Sequence, residues 1–553
     1  MARVSLIVFL IACMLTGGCT SLSEYLQNGL KVGPNYGRPP APVAEDWIDA
    51  ADKRVRSDPH DISAWYTVFK DPVLDSLVCS AYQQNLTLRE AGSRVLQARA
   101  QLAIAAGSFF PQTQDMTGDY TRNAVSTRVA NRSNVSSQFF NQWDYGFHLA
   151  WELDFWGRFR RAIEAASASL DASVEDYDGV LVTLLGDVAT NYVQLRTFER
   201  RIEYARANVQ LQRETLKIVE EREKAGTYTR LDVVQARSTL EQTEALIPEL
   251  LISLRQTNNQ LCILLGIPPE ELGPKLGSAP IPTAPAEVAA GIPADLLRRR
   301  PDVRRAERQA AAQSAQIGVA EADLYPHIAI TGTIGYSAQQ FKDLFRSAAL
   351  VGAVGPSFQW NILNYGRILN NVRLQDARLQ ELLTVYQNTV LTAAQDVENG
   401  LVTFLRAQQR AQFQAASVAD AEEAVKIALK NQWPAGLIDF TRVTQLEQNL
   451  VQVQDTLAQA RGEIGLGLIQ VYRALGGGWQ IRLTGCEPIA LPLPAEPGKA
   501  REILPSPTPQ EAPAPPNQAK TEVPSVRKSE IRNSKTEANS KHEIPNSKPS
   551  IED

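Results

Sequence analysis

The chain has 553 residues, with 56 Lys and Arg against 61 Asp and Glu and a formal net charge of −5. So even a balance offers no basic surface for nucleic acid, and the length allows a sizeable core. The five cysteines (Cys13, Cys19, Cys79, Cys262, Cys486) and four histidines (His60, His148, His327, His542) show no zinc or redox spacing, so no metal and no cofactor is expected.

Residues 1–18 read as an export signal. Arg3 precedes an apolar run, Val4 to Leu15, too short to span a bilayer. Leu15-Thr16-Gly17-Gly18-Cys19 resembles a bacterial lipobox, which makes Cys19 the acylated first residue of the mature chain. Thr20 rather than Asp after it directs such a lipoprotein to the outer membrane. Residues 19–71 follow as an anchored, extended segment rich in Pro and Gly. No second apolar run has spanning length, so any membrane crossing must use a closed barrel.

The remainder is written twice. Phe110-Pro111 recurs as Tyr325-Pro326, Trp156-Gly157-Arg158 as Tyr365-Gly366-Arg367, Ala225-Gly226 as Ala435-Gly436, and Leu265-Gly266 as Leu475-Gly476. The landmarks keep step, which predicts two copies of one unit: 72–266 and 294–479, joined by a Pro-rich link over 267–293.

Each copy opens with a helix, Pro72 to about Ala106 in the first, stopped by Pro111. A hairpin follows, about 112–154 and about 327–364. Trp143, Tyr145, Phe147, Leu149, Trp151 and Leu153 alternate with Asp144, Gly146, His148, Ala150 and Glu152. That period of two predicts a strand between two different solvents. Phe358 and Trp360 belong to the weaker second version. The greasy residues Trp143, Tyr145, Phe147, Trp151, Phe358 and Trp360 are expected to meet lipid, and Asp115, Asp119, Asp144 and Glu152 to line water. Four strands cannot close a barrel; two chains would supply eight strands and three would supply twelve, and sequence physics alone chooses neither.

Long helices come next. From about Trp156 to Lys224 no proline interrupts a coiled-coil-like seam, a rod of about 100 Å. Each rod turns at a glycine, with tips near 226–233 and 436–445, and a second helix returns, expected to break or kink at Pro248 in the first copy. Cys79 and Cys262 fall in helical patterns and read as packed free thiols. The tail, 480–553, is rich in Pro, Lys, Ser and Glu beyond Glu487 and is expected to be disordered. No phosphate loop or nucleophile elbow occurs, so an enzyme is not expected.

Several stretches resemble the TolC-like outer-membrane efflux lipoproteins of the NodT/OprM type. They are Val32-Gly33-Pro34-Asn35-Tyr36, Asp71-Pro72 with Asn85-Leu86, Trp151 through Arg158, and above all Ile292 through Val303 with Ile317-Gly318 and Tyr325-Pro326. The resemblance implies a mainly α chain carrying membrane β-strands. It implies a homotrimer with a twelve-stranded barrel on a periplasmic helical tunnel. It also implies a periplasmic membrane-fusion adaptor and an inner-membrane pump of the resistance-nodulation-division type. On it, Gly226, Arg230, Leu231, Asp232 and Gly436 are expected to dock the adaptor. Asp439, Thr441, Arg442 and Gln445 are expected at the periplasmic gate, with Arg442 beside Asp439 giving weaker cation preference or an ion-paired lock. The competing reading is a periplasmic coiled-coil tether with no pore, which has no use for Trp143, Tyr145, Phe147 and Trp151 on one strand face.

Overall fold

The computed structural model describes residues 21–58, 61–126, 128 and 137–486; the export signal, Cys19 and the chain beyond 486 lie outside the described residues. The elements in order are α1 (Leu22–Gln27), β1 (Val55–Arg56), α2 (Pro72–Gln84), α3 (Leu86–Gly107), β2 (Thr113–Ala124), β3 (Phe139–Leu153), α4 (Arg158–Lys224) and α5 (Arg230–Leu264). Then come α6 (Gly273–Leu276), β4 (Val288–Ala289), α7 (Leu296–Arg299), α8 (Pro301–Ala322), β5 (His327–Ala338), β6 (Leu350–Gln359), α9 (Arg367–Ile427), α10 (Phe440–Ala474) and α11 (Ile481–Thr484).

Both long rods are present. At about 1.5 Å per residue, the 67 residues of α4 extend about 100 Å. The α5 helix is continuous across Pro248, so the expected break is absent there. The opening helix, expected to be continuous, is divided at Asn85. That side chain accepts from the Leu88 amide, capping α3, and donates to the Leu264 carbonyl at 2.9 Å. An Asn that bonds nearby backbone competes with the helix ladder, which is why the break falls there.

The core is a belt midway along the chain's length of helix. Trp65, Phe69, Leu74, Leu77, Leu181, Leu185, Tyr192, Tyr386, Phe404, Leu468 and Tyr472 pack there, with Trp65 stacked on Tyr472 at 5.7 Å. The segments read as extended or linking are recruited into it. β1 pairs in parallel with β4 from the Pro-rich link, and Trp47 donates to the Gly291 carbonyl. Within the Arg-Arg-Arg-Pro-Asp stretch, Arg300 bonds both oxygens of Asp302 and donates to the Ala474 carbonyl at the end of α10. A cation on the last carbonyls of a helix is favourable. Burial pushes the Asp302 carboxyl up, but its bonds to Arg300 outweigh that and hold it below the usual carboxylate range.

Two expectations fail at the C-terminal end of the belt. Residues 480–486, assigned to a disordered tail, fold back: Ile481 is buried and Arg482 pairs with both oxygens of the buried Asp178. Cys79 is not a free thiol. It is disulfide-bonded to Cys486, while Cys262 is free and buried. Sequence periodicity reads only local neighbours, and the two cysteines are 407 positions apart.

Candidate functional site

The four long strands form one antiparallel sheet in the order β2-β3-β5-β6. Register decides its faces, because directly paired residues share a side. Trp143 pairs with Tyr120 and Ala338, Tyr145 with Tyr336, Phe147 with Met116 and Ile334, Trp151 with Ile330, and Leu153 with Ile328. Across β6 the same face continues through Leu350, Val354, Pro356 and Phe358. The opposite face carries Asp115, Thr117, Asp119, Asp144, His148, Glu152, Thr331, Thr333 and Ser357. Asp119 sits directly opposite Asp144, and like charges so placed are destabilising unless water solvates them. From Trp143 to Leu153 the greasy band runs about 34 Å along the strand, or about 26 Å of height at a typical barrel tilt; an outer-membrane apolar band is about 25 Å tall. Among the described residues, neither β2 nor β6 has a strand partner on its outer edge.

Aromatic rings close the band at both ends. Away from the helices, Tyr120 lies 4.5 Å from Trp143, Trp143 lies 5.1 Å from Phe341, and Phe345 meets Tyr145 and Tyr336. Phe341 and Phe345 come from the β5–β6 loop and were not anticipated; their signal is two phenylalanines one helical turn apart. At the helical end, three indoles donate to backbone carbonyls: Trp151 to Phe109, Trp156 to Pro326 and Trp360 to Leu324. Trp360, expected on the strand face, thus lies one residue beyond β6 and anchors the sheet-to-helix junction. Amphipathic Trp and Tyr suit the level of the lipid headgroups.

The N-terminal segment is strapped onto this junction. Tyr25 donates to the Phe155 carbonyl at 2.7 Å and packs on Trp156. Arg160 donates to the Gly29 and Leu30 carbonyls, and Arg161 to those of Val32 and Gly33. Gly33 crosses α8 at Gly318: a Cβ on Gly33 would lie 2.4 Å from the Gly318 Cα. Two glycines far apart in sequence are therefore one contact. The strap holds α1 against the helical end of the sheet; Cys19 is outside the described residues.

At the other end of the rods are the two tips. Gly226 and Gly436 take positive φ (76° and 70°), where a side chain would be strained, and the following amides close back on the helices. Leu231 and Leu437 are 72% and 75% exposed, and Arg230 is also exposed. Asp232 is engaged within the chain: it accepts from the Thr229 amide while Thr229 caps α5, a reciprocal capping box. Asp439 caps α10 by accepting from the Arg442 amide at 2.9 Å. Within a single chain, the Asp439 carboxylate meets the backbone of Arg442 rather than its guanidinium. Among the described residues the two side chains form no salt bridge, because the cap turns the Asp439 carboxylate onto backbone. Thr441, Arg442 and Gln445 are exposed on the first turns of α10.

The two tips are also fastened to each other, through residues not singled out from sequence. Trp433 is fully buried with Phe440, Val219, Val233 and Val443, and its indole donates to the Tyr228 hydroxyl at 2.7 Å. The Arg222 guanidinium lies over both rings, 4.7 Å from Trp433 and 5.4 Å from Tyr228. A Tyr and a Trp within three residues of the two turning glycines were the available sign.

A sheet oily on one side and wet on the other, set on helical hairpins about 100 Å long, defines a membrane conduit. The family model for outer membrane efflux proteins matches residues 77–267 and 292–477, the two copies of the repeat. Nodulation protein T of Rhizobium leguminosarum bv. viciae is 31% identical over 458 residues, 82% of this chain and 92% of that protein. The pyoverdine export outer membrane protein OpmQ of Pseudomonas putida is 32% identical over 422 residues, 75% of this chain and 88% of that protein. The solved outer-membrane channel OprN superposes with a TM-score of 0.76 at 31% identity, covering 81% of this chain and 99% of that one. The chain belongs to the outer membrane efflux protein family. It is the outer-membrane channel component of a tripartite efflux pump, and the pore-less tether is set aside.

Proposed function

We propose that three copies of this chain join their sheets edge to edge into a twelve-stranded barrel, lipid outside and water within. The observation that carries this is a four-stranded sheet with one greasy face, one polar face and two unpaired edges. An open edge in lipid costs several kcal/mol per unpaired group, so the edges of sister chains must meet. Cys19 bears the lipid that anchors the chain in the outer membrane. The helical hairpins enclose the tunnel. The exposed tip residues Gly226, Arg230, Leu231 and Gly436 receive a periplasmic adaptor, with Asp232 acting through the fold of that turn. Thr441, Arg442 and Gln445 narrow the periplasmic mouth, with Asp439 shaping it as a helix cap. An inner-membrane pump of the resistance-nodulation-division type feeds the tunnel, and the chain itself conducts small molecules without catalysing a reaction. A relative named for pyoverdine export supports an exported small molecule as cargo.

The test is purification in detergent followed by planar-bilayer recording. A trimer with step conductances supports the reading; a monomer without conductance overturns it. Arg442→Asp reverses one charge per subunit at the mouth and shifts the reversal potential toward cations. An unchanged reversal potential removes Arg442 from the gate.

A further inference from the structure

Between the tip cluster and the layer at Ile202, the two hairpins meet partly through polar side chains, beside an apolar cluster of Ala421, Val425 and Leu450 with Leu211 and Leu446. Asn208, Gln212 and Thr215 of α4, Thr239 and Thr243 of α5, and Thr444, Glu447 and Gln454 of α10 are all buried. Asn208 donates to Gln454 at 2.8 Å, and Gln454 to Glu422 of α9 at 2.8 Å. Gln448 reaches Thr239. Apolar layers bound this stretch: Val219, Val233, Trp433 and Phe440 on the tip side, and Ile202, Ala205 and Leu250 on the other.

Among the described residues Glu447 is the one buried member of this layer that can carry a charge. It is 3% exposed and accepts one hydrogen bond, from the Thr215 hydroxyl at 2.6 Å, across the seam between the hairpins. Gln212, one turn before Thr215 on the same face of α4, is 2% exposed, and neither atom of its amide has a partner among the described residues. Among the described residues no cation pairs with Glu447. On α4, Arg213, Glu214 and Lys217 are exposed; on α5, Arg237 and Glu241 are exposed, and the half-exposed Glu244 pairs with Arg213. On α9, Glu422, Glu423 and Lys426 are exposed, as are Lys430 in the turn that follows it and Arg442 on α10 itself. An isolated carboxylate in such a place is costly, whereas the neutral acid is not.

We propose that Glu447 is a proton-operated latch between the two helical hairpins of each protomer: the neutral acid seals the polar seam, and the carboxylate drives it to take up water so that the hairpins part above the tips. The latch rests on the tunnel reading for its consequence, which is wider conduction when the seam opens. The sign follows from linkage. Burial pushes the carboxyl up to about 7, the Thr215 bond opposing it more weakly. In a hydrated, parted seam the group returns to about 4.3. Closure is therefore at full strength below about 4.3 and is weakened up to tenfold per pH unit as pH rises, levelling off once pH passes the buried value near 7.

The test uses the full-length protein at pH 5 to 8, by amide hydrogen exchange and by planar-bilayer conductance. In the wild type, exchange of residues 208–219 and 443–454, corrected for the chemical rate, rises at least tenfold across this range, and conductance rises with it. Glu447→Gln stays at the acid level throughout; Glu214→Gln, an exposed carboxylate on α4, keeps the wild-type slope. A flat wild-type exchange profile, or a Glu447→Gln profile with the wild-type slope, overturns the latch. If exchange behaves as stated while no variant conducts, the latch stands and the tunnel reading falls.

Discussion

Replacing Trp433 with Ala tests whether the tips are clamped by the Trp433–Tyr228–Arg222 group. The indole is 1% exposed, lies within a six-residue apolar cluster, donates one hydrogen bond of 2.7 Å and carries a guanidinium 4.7 Å above its ring. Emptying such a site costs about 3–5 kcal/mol. The tip is separated from the core belt by a long stretch of each rod, from Leu195 to Val219 on α4, so the loss is local. Opening of the tips then becomes roughly a hundredfold to several thousandfold more frequent, while melting of the belt is unchanged. Trp433→Phe keeps most of the packing and removes the N–H to Tyr228, at about 1 kcal/mol, or roughly fivefold. Hydrogen exchange at residues 219–236 and 428–443 reads both variants. Equal protection in wild type, Ala and Phe proteins would show that the tips are held by something other than this cluster.

Gly318→Val sets a side chain against the Val32 carbonyl, where even a Cβ would lie at 2.8 Å. Overpacking of about 1–3 kcal/mol is expected, seen as faster protease nicking between residues 21 and 58. Paired Cys79→Ser and Cys486→Ser changes release a cross-link between residues 407 positions apart. A loss of about 2–4 kcal/mol in urea unfolding is expected, with the single-cysteine variants equally affected. Phe147→Arg puts a charge near the middle of the greasy face, at about 2–4 kcal/mol per subunit; the fraction of assembled protein resisting carbonate extraction should fall.

Sequence alone determined what depends on local order. The alternation from Trp143 to Leu153 made a strand with two solvents because side chains on a strand point to opposite sides at every step. The repeated glycines made the turns because Gly226 and Gly436 adopt a backbone conformation open to few other residues. The proline-free run before Lys224 made a rod. Tertiary structure decided what depends on meetings between distant segments. Sequence periodicity carries no information on which cysteine finds which, and Cys79 finds Cys486 only because residues 480–486 fold back onto the belt. The roles of Asp232 and Asp439 likewise turned on geometry, since a carboxylate at a tip can face solvent or cap its own helix, and both cap. Trp433, Tyr228 and Glu447 acquired their positions only when the two copies of the repeat packed side by side. Burial and partnership across that seam are properties of the pair of hairpins, absent from either one alone.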